Sequence, residues 1–177
     1  MGADRGRSFT GFGLLEGLGV YGCGAIEDVL LAGLLQGDPV LLVGGPGCAK
    51  THLVEMLAES MNAKFWAYDA GKALFEDVIG FLDPRGLNNG RVEYLQTDVS
   101  IWGKQFILLD ELSRANPGMQ SKWLEVIRSR RIMGKPLDEL MYVVAAMNPP
   151  GMMGTLPLDE ALAGRFTFII RMPEVGA

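Results

Sequence analysis

The sequence predicts an α/β fold with three layers, in which a mostly parallel five-stranded sheet lies between helices. Short apolar runs alternate with segments of helical periodicity five times along the 177 residues. The run at residues 106–109 is apolar throughout, which is typical of a parallel strand buried on both faces. Gly44, Asp110 and Asn148 each follow such a run. Because parallel strands end at the same edge of a sheet, we expect these three residues to lie close together.

Composition indicates one globular domain. A chain of this length can bury one substantial core, and 49% apolar and 21% charged residues are typical of folded domains. The net charge of −5 argues against broad attraction to nucleic acid. The two cysteines and the single histidine (Cys23, Cys48 and His52) do not form a metal-ligand pattern, and we expect no structural disulfide. Without a long apolar run or a signal-peptide pattern, we expect a cytoplasmic protein with no membrane span.

The chain begins with a glycine-rich stretch, residues 1–24, that we expect to be a mobile lead-in. Residues 17–22 spell G-x-G-x-x-G, but a dinucleotide site needs a strand before this pattern, and none is predicted there. The predicted core spans residues 25–172, with a hairpin insert at 80–102, and 173–177 form a tail. Within the core, the predicted helices are at 25–36, after residue 51, at 74–79, from Pro117 and at 158–164. The predicted strands are at 40–43, 65–69, 106–109, 142–147 and 166–171. A smaller predicted hairpin has its tip at 133–136.

The stretch Gly-Gly-Pro-Gly-Cys-Ala-Lys-Thr at residues 44–51 joins the first strand to a helix. In this context, a glycine-rich loop directs its amide N–H groups at a polyphosphate, aided by the positive end of the helix dipole. Lys50 would reach the β- and γ-phosphates, and Thr51 would bind Mg²⁺. Ala49 replaces the second glycine of G-x-x-x-x-G-K-[ST], where only a small side chain lets the backbone approach phosphate. The candidate nucleotide-binding residues are Gly44, Gly45, Pro46, Gly47, Cys48, Ala49, Lys50, Thr51 and His52.

Two adjacent carboxylates follow the strand at 106–109. Isolated charges resist burial, so Asp110 and Glu111 at the end of a buried strand indicate a functional role or a pairing partner. We assign Asp110 to Mg²⁺ and Glu111 to the role of general base that activates the attacking water.

Four motifs in order resemble the AAA+ ATPase module, and most closely its MoxR-type branch. The resemblance covers about residues 20–172. The motifs are the phosphate loop, Leu-Asp-Glu-Leu-Ser-Arg-Ala-Asn-Pro at 109–117, Ala-Met-Asn-Pro at 146–149, and Leu-Asp-Glu-Ala-Leu-Ala-Gly-Arg-Phe at 158–166.

The resemblance implies further roles within an ATP- and Mg²⁺-dependent ATPase. Asn148 is similar to the sensor 1 residue that positions the lytic water, and Arg165 to the arginine finger that acts on the ATP of a neighbouring subunit. Tyr21 lies where the adenine contacts begin. Arg114 resembles a position that is often basic in this branch, and we rank it below Arg165 as a charge aimed at a neighbour; its alternative is a plain surface role.

The resemblance also implies partners. We expect a homo-oligomeric ring, a hexamer, that remodels a protein client with a von Willebrand factor A-domain partner. The insert at 80–102 resembles a helix-2 insert that faces the pore or the client. The family pattern continues into a helical lid that carries sensor 2, whereas this sequence ends at Ala177.

Three alternatives stay open. A chain without a lid could be an assembly scaffold with little turnover. A small-molecule kinase should lack the combination of Asp110-Glu111, Asn148 and Arg165. A nucleic-acid motor has only the basic residues between Arg128 and Lys135 in its favour, and such clusters are more often a solvated surface.

Overall fold

The computed structural model describes residues 13–152, 155 and 157–173. Along these residues the helices are α1 (Leu14–Gly17), α2 (Gly24–Gln36), α3 (Lys50–Ser60), α4 (Phe75–Ile79), α5 (Pro84–Asn88), α6 (Pro117–Ser129) and α7 (Glu160–Ala163), with a 3₁₀ turn at Leu112–Arg114. The strands are β1 (Val40–Val43), β2 (Phe65–Asp69), β3 (Phe81–Leu82), β4 (Tyr94–Leu95), β5 (Phe106–Asp110), β6 (Arg131–Ile132), β7 (Lys135–Pro136), β8 (Tyr142–Met147) and β9 (Phe168–Arg171).

Five strands form one sheet in the order β2-β5-β8-β1-β9, and every neighbouring pair is parallel. β5, β8 and β1 lie side by side in the middle, with Val43 paired to Met147 and Leu109 paired to Ala145. The strand ends that carry the predicted site residues are therefore adjacent. The predicted parallel five-stranded fold is confirmed.

Successive residues of each central strand face opposite sides of the sheet, so the sheet has two buried faces. Leu41, Ile107 and Val143 pack with α4, α6 and α7, where Trp123 is fully buried. On the other face, Leu108 packs with α1, α2 and α3. The predicted three-layer arrangement is confirmed.

The described part of the predicted lead-in packs on the core. Leu15 and Val20 are buried, and the Glu27 carboxylate accepts hydrogen bonds from the N–H groups of Leu14 (2.9 Å) and Leu15 (3.0 Å). The prediction of a mobile segment is wrong for these residues because their apolar side chains complete the core beside α2. Residues 1–12 lie outside the described residues. The G-x-G-x-x-G pattern lies between α1 and α2, and no strand precedes it within the described chain.

The insert at 80–102 contains the predicted hairpin, since β3 and β4 pair antiparallel. A short helix, α5, stands where the sequence indicated only a turn. Asp83 caps this helix by accepting from the N–H of Arg85, and Pro84 occupies its first position. Gly80 has φ +88°, and a Cβ there would clash with the carbonyl oxygen of Leu95. Only glycine fits where the insert leaves the core.

The second predicted hairpin is β6–β7, with Met133 and Gly134 in its turn. The expectation of a solvated basic surface here is wrong for Arg130, which is partly buried; Arg128, Arg131 and Lys135 are exposed as expected. Arg130 donates to the carbonyl oxygens of Gly37 (3.0 Å) and Ile127 (2.9 Å), and burial lowers the pKa of its guanidinium. Arg131 bonds to the carbonyl of Gly134, and the Lys135 ammonium lies 5.2 Å from the ring centre of Tyr94.

The remaining differences are at element ends. β9 begins at Phe168 rather than 166, and α7 spans four residues rather than seven. No helix in the described ranges combines the length and apolar character that crossing a membrane requires. Of the predicted tail, residues 174–177 lie outside the described residues.

Candidate functional site

An open cavity of about 380 Å³ lies at the C-terminal ends of β1, β5 and β8. Ligands bind at this edge of open α/β sheets because loops and helix N-termini meet there. Its lining residues are Pro46, Gly47, Ala49, Lys50, Thr51, His52, Asp110, Glu111 and Asn148.

The loop between β1 and α3 has the conformation that its small residues permit. Gly47 has φ +81°, and Ala49, which precedes the helix, has φ +62°. A non-glycine residue in this region costs roughly 1–2 kcal/mol, so the alanine that departs from the consensus is strained. A Cβ on Gly44 would lie 2.6 Å from Cys48 Sγ and 2.7 Å from Met172 Cβ. Gly44 is thus required by packing behind the loop.

Lys50, the one charged residue of the loop at 44–51, is buried, with 9% of its surface exposed. Its Nζ donates to the carbonyl oxygens of Gly44 (2.7 Å) and Gly45 (2.9 Å), and lies 3.5 Å from Asn148 Oδ1. Carbonyl oxygens stabilise the ammonium without neutralising its charge. A full positive charge therefore lies at the cavity wall, where an anionic phosphate could bind it.

Thr51 and Asp110 contact each other across the cavity floor. Thr51 Oγ1 donates to Asp110 Oδ2 (2.7 Å), and Asp110 Oδ1 accepts from the N–H of Glu111 (2.9 Å). Within the described residues no group of three or more histidine, cysteine or acidic side chains could hold a metal. One carboxylate and one hydroxyl nevertheless fit Mg²⁺, which is commonly held by one or two protein oxygens together with substrate phosphates and water.

Glu111 and Asn148 complete the cavity wall. Asn148 is 5% exposed, and its Nδ2 donates to Glu111 Oε2 (3.3 Å) while its Oδ1 faces Lys50. Glu111 has φ +53°, and its Oε2 also forms an ion pair with Arg114, whose Nε lies 3.0 Å away. Polar contacts thus connect Lys50, Asn148, Glu111 and Arg114 in series.

Several predicted residues lie outside this cavity lining. Gly44, Gly45 and Cys48 belong to the loop, but the first two present carbonyls to Lys50 and the third is buried behind it. Tyr21 is 75% exposed and does not line the cavity. Arg165 is exposed and also lies outside it. The predicted role of Arg165 concerns a neighbouring subunit, so it stays a prediction.

Sequence reasoning missed one contact at the site. Arg114, ranked as a charge aimed at a neighbour, pairs with Glu111 of its own chain. The signal was available, because opposite charges three positions apart meet on one side of a helical turn.

The convergence of a phosphate-type loop with the Asp110-Glu111 and Asn148 strand ends decides the family. A sequence model of the ATPase family associated with various cellular activities (AAA) matches residues 39–168. The chain belongs to this AAA ATPase family. The MoxR-type resemblance is also confirmed: the chain is 34% identical over 158 residues to Chaperone MoxR1 of Mycobacterium tuberculosis, a match covering 86% of this chain and 41% of MoxR1.

A second sequence relative and a solved structure are also similar to this AAA ATPase chain. The uncharacterized protein YeaC of Bacillus subtilis is 34% identical over 153 residues, covering 83% of this chain and 46% of YeaC. The crystal structure of a "putative ATPase" from Cytophaga hutchinsonii superposes with a TM-score of 0.68 at 32% identity, covering 90% of this chain and 49% of that one. The chain spans about half the length of these relatives.

Proposed function

We propose that this AAA ATPase chain binds ATP with Mg²⁺ in the cavity at the sheet edge and hydrolyses it to ADP and phosphate. The observation that carries the proposal is the assembly of Lys50, Asp110, Glu111 and Asn148, from three separate strand ends, around one cavity. A purely structural cluster would have no need for a buried ammonium whose partners are two carbonyls, an amide oxygen and a thiol, none of them a carboxylate.

Binding would use the loop and the start of α3. The first N–H groups of a helix have no partner within the helix, and with the helix dipole they favour a phosphate. The Lys50 ammonium, now held by two carbonyls, would turn to the β- and γ-phosphate oxygens. Thr51 and Asp110 would hold Mg²⁺, which supplies positive charge to the phosphates when bound.

Hydrolysis would use Glu111 and Asn148, on the other wall of the cavity. Water attacks the γ-phosphorus, the bond to the β-γ bridging oxygen breaks, and Glu111 takes the proton that the water loses. Asn148 lies between Lys50 and Glu111, where its amide can orient that water relative to the phosphate. This arrangement supports the sensor 1 role for Asn148.

We further propose a homo-oligomeric ring, expected as a hexamer, in which Arg165 acts on the ATP of the adjacent subunit. The exposed position of Arg165, away from its own cavity, supports this. MoxR1 is named a chaperone, which supports a protein client here. We also propose the von Willebrand factor A-domain partner and the cytoplasmic location that the sequence led us to expect. A nucleic-acid motor has less support, since Arg130, Arg131 and Lys135 make contacts within the chain.

The test of hydrolysis is Glu111→Gln. We expect ATP affinity to be retained and phosphate release to fall about 10²-fold or more, the usual contribution of a general base. Glu59→Gln, an exposed position on α3, is the control and should hydrolyse normally. Normal hydrolysis by Glu111→Gln would show that the base assignment is wrong. ATP-dependent assembly of the unmodified chain without phosphate release would instead favour the scaffold.

The test of the ring is a mixture of Arg165→Ala and Lys50→Ala subunits, each inactive alone. Random assembly would pair an intact loop with an intact arginine at some boundaries, so activity should partly return. A mixture that stays inactive would count against catalysis across a subunit boundary.

A further inference from the structure

We infer that Arg114 is a positioning residue that orients Glu111 of its own chain for the attack on ATP. The inference rests on the proposed function, because it assigns Arg114 a task only if Glu111 is the general base. It differs from a role toward a neighbouring subunit, which the position of Arg114 in the sequence had suggested.

The contact itself carries the argument. Arg114 Nε lies 3.0 Å from Glu111 Oε2, and Asn148 Nδ2 donates to the same oxygen from the cavity side. Within the described residues, Glu111 Oε1 accepts no hydrogen bond. One ion pair and one hydrogen bond therefore hold the same oxygen of the carboxylate, and the other oxygen is available to take a proton from water.

The backbone holds Arg114 in place for this contact. Glu111 has the left-handed φ of +53° and begins the 3₁₀ turn, which closes when the N–H of Arg114 donates to the Glu111 carbonyl (2.8 Å). Gly71 packs against the base of the Arg114 side chain, since a Cβ on Gly71 would lie 2.8 Å from Arg114 Cβ. Arg114 does not line the cavity.

The exposure of the Arg114–Glu111 pair indicates that it positions the Glu111 carboxylate and adds little to the stability of the fold. The side chains of Arg114 and Glu111 are 46% and 32% exposed, and ion pairs in contact with water contribute little to folding. A strained backbone at Glu111 with a weakly stabilising partner is typical of a residue held for chemistry.

The first test detects the contact without nucleotide or turnover. In a ¹H–¹⁵N spectrum of the free chain, the Nε–H signal that is lost in Arg114→Met belongs to Arg114. We expect this signal to move upfield in Glu111→Gln, because the negative charge 3.0 Å from Nε is gone, and to stay in place in Glu59→Gln. A signal that does not respond to Glu111→Gln would overturn the inference.

The second test asks whether the charge of Arg114 positions Glu111. Arg114→Lys keeps a positive charge beside Glu111, whereas Arg114→Gln keeps a side-chain N–H without the charge. We expect Arg114→Met and Arg114→Gln to lower turnover about 10–100-fold, the scale of a misplaced reacting group, with ATP affinity within about twofold. Arg114→Lys should keep most of the activity. An equal loss in Arg114→Lys and Arg114→Met, or a loss through ATP affinity, would overturn the inference.

The third test asks which chain Arg114 serves. Arg114→Met and Glu111→Gln subunits are mixed; if both residues act in one site of one chain, no mixture restores turnover. Restored activity would assign Arg114 to the neighbouring subunit and overturn the inference. If Glu111→Gln itself hydrolyses ATP normally, the proposed base fails instead, and the spectrum still reports whether the pair exists.

Discussion

The cavity at the sheet edge and the insert at 80–102 differ in how their side chains are held. At the cavity, Lys50 and Asn148 are buried, lie within 3.5 Å of each other, and Asn148 also donates to Glu111. In the insert, β3 and β4 have two residues each, and large apolar side chains such as Phe81 (58% exposed) face outward. The cavity is ordered by its own packing, whereas the insert depends on its attachment to the core.

That attachment consists of a few bonds. Tyr68 Oη donates to the carbonyl of Val99 (2.8 Å), Trp102 Nε1 donates to the carbonyl of Ile79 (2.7 Å), and the N–H of Ile101 donates to the carbonyl of Val78 (2.8 Å). None of these residues lines the cavity. ATP turnover at the cavity and the stability of the insert should therefore respond to different substitutions.

The largest effect is expected at the cavity. Lys50→Ala should lower ATP turnover by about 10²–10³-fold, because a preorganised positive charge aimed at the phosphates is lost. Phosphate release and ATP binding by calorimetry measure it. Lys64→Ala is the control: it removes an exposed lysine next to the N-terminal end of β2, away from the cavity, and should leave ATP turnover and ATP binding unchanged. If Lys50→Ala hydrolyses ATP at a near-normal rate, the ATP phosphates do not bind at Lys50.

The next effect is expected where the insert leaves the core. Gly80→Ala should lower the free energy of unfolding by about 2–4 kcal/mol, since a left-handed φ and a backbone clash with Leu95 add together. Gly90→Ala shares the positive φ, but a Cβ there meets nothing within 4 Å, so it should cost only about 1 kcal/mol. Urea unfolding compares the two. Equal costs would mean that the insert does not approach Leu95 as described.

A smaller effect is a dependence on alkaline pH at the base of the insert. Burial raises the pKa of Tyr68, so the folded state keeps its proton after the unfolded chain has lost it. This contribution to stability is complete below about pH 10 and is lost above it, by about 1.4 kcal/mol per pH unit. Urea unfolding between pH 9 and 11 should show the decline, and Tyr68→Phe should make it shallower. An unchanged slope would exclude Tyr68 as its source.

The smallest effect returns to the cavity. Ala49→Gly should raise the free energy of unfolding by about 0.5–1 kcal/mol, because glycine accepts φ +62° without strain. Ala32→Gly, on the exposed side of α2, should instead lower it by about 1 kcal/mol. A loss of stability in both variants would show that Ala49 is not strained.

The bounds of strands and helices were predicted best, because they depend on residues that are neighbours in the sequence. β2 and β8 have the predicted bounds, since the first follows the apolar run 65–68 up to Asp69 and the second is apolar throughout. α6 begins at the predicted Pro117 because Asn116 caps it. α5 was missed although Asp83-Pro84 is a helix-start pattern, because asparagine and glycine nearby also favour turns. The strand order and the Asn148 contacts join residues far apart in the chain, and periodicity does not report them.

The most direct test of the account is a crystal structure of Glu111→Gln with ATP and Mg²⁺. The account predicts that a γ-phosphate oxygen lies roughly 3 Å from Lys50 Nζ, a hydrogen-bond distance, with Thr51 and Asp110 beside the metal and Asn148 beside the phosphate. A second cavity of similar volume lies between α6 and α7, lined by Gln120 and Asp159 among others. Nucleotide bound there, with the loop at residues 44–51 empty, would contradict the central claim.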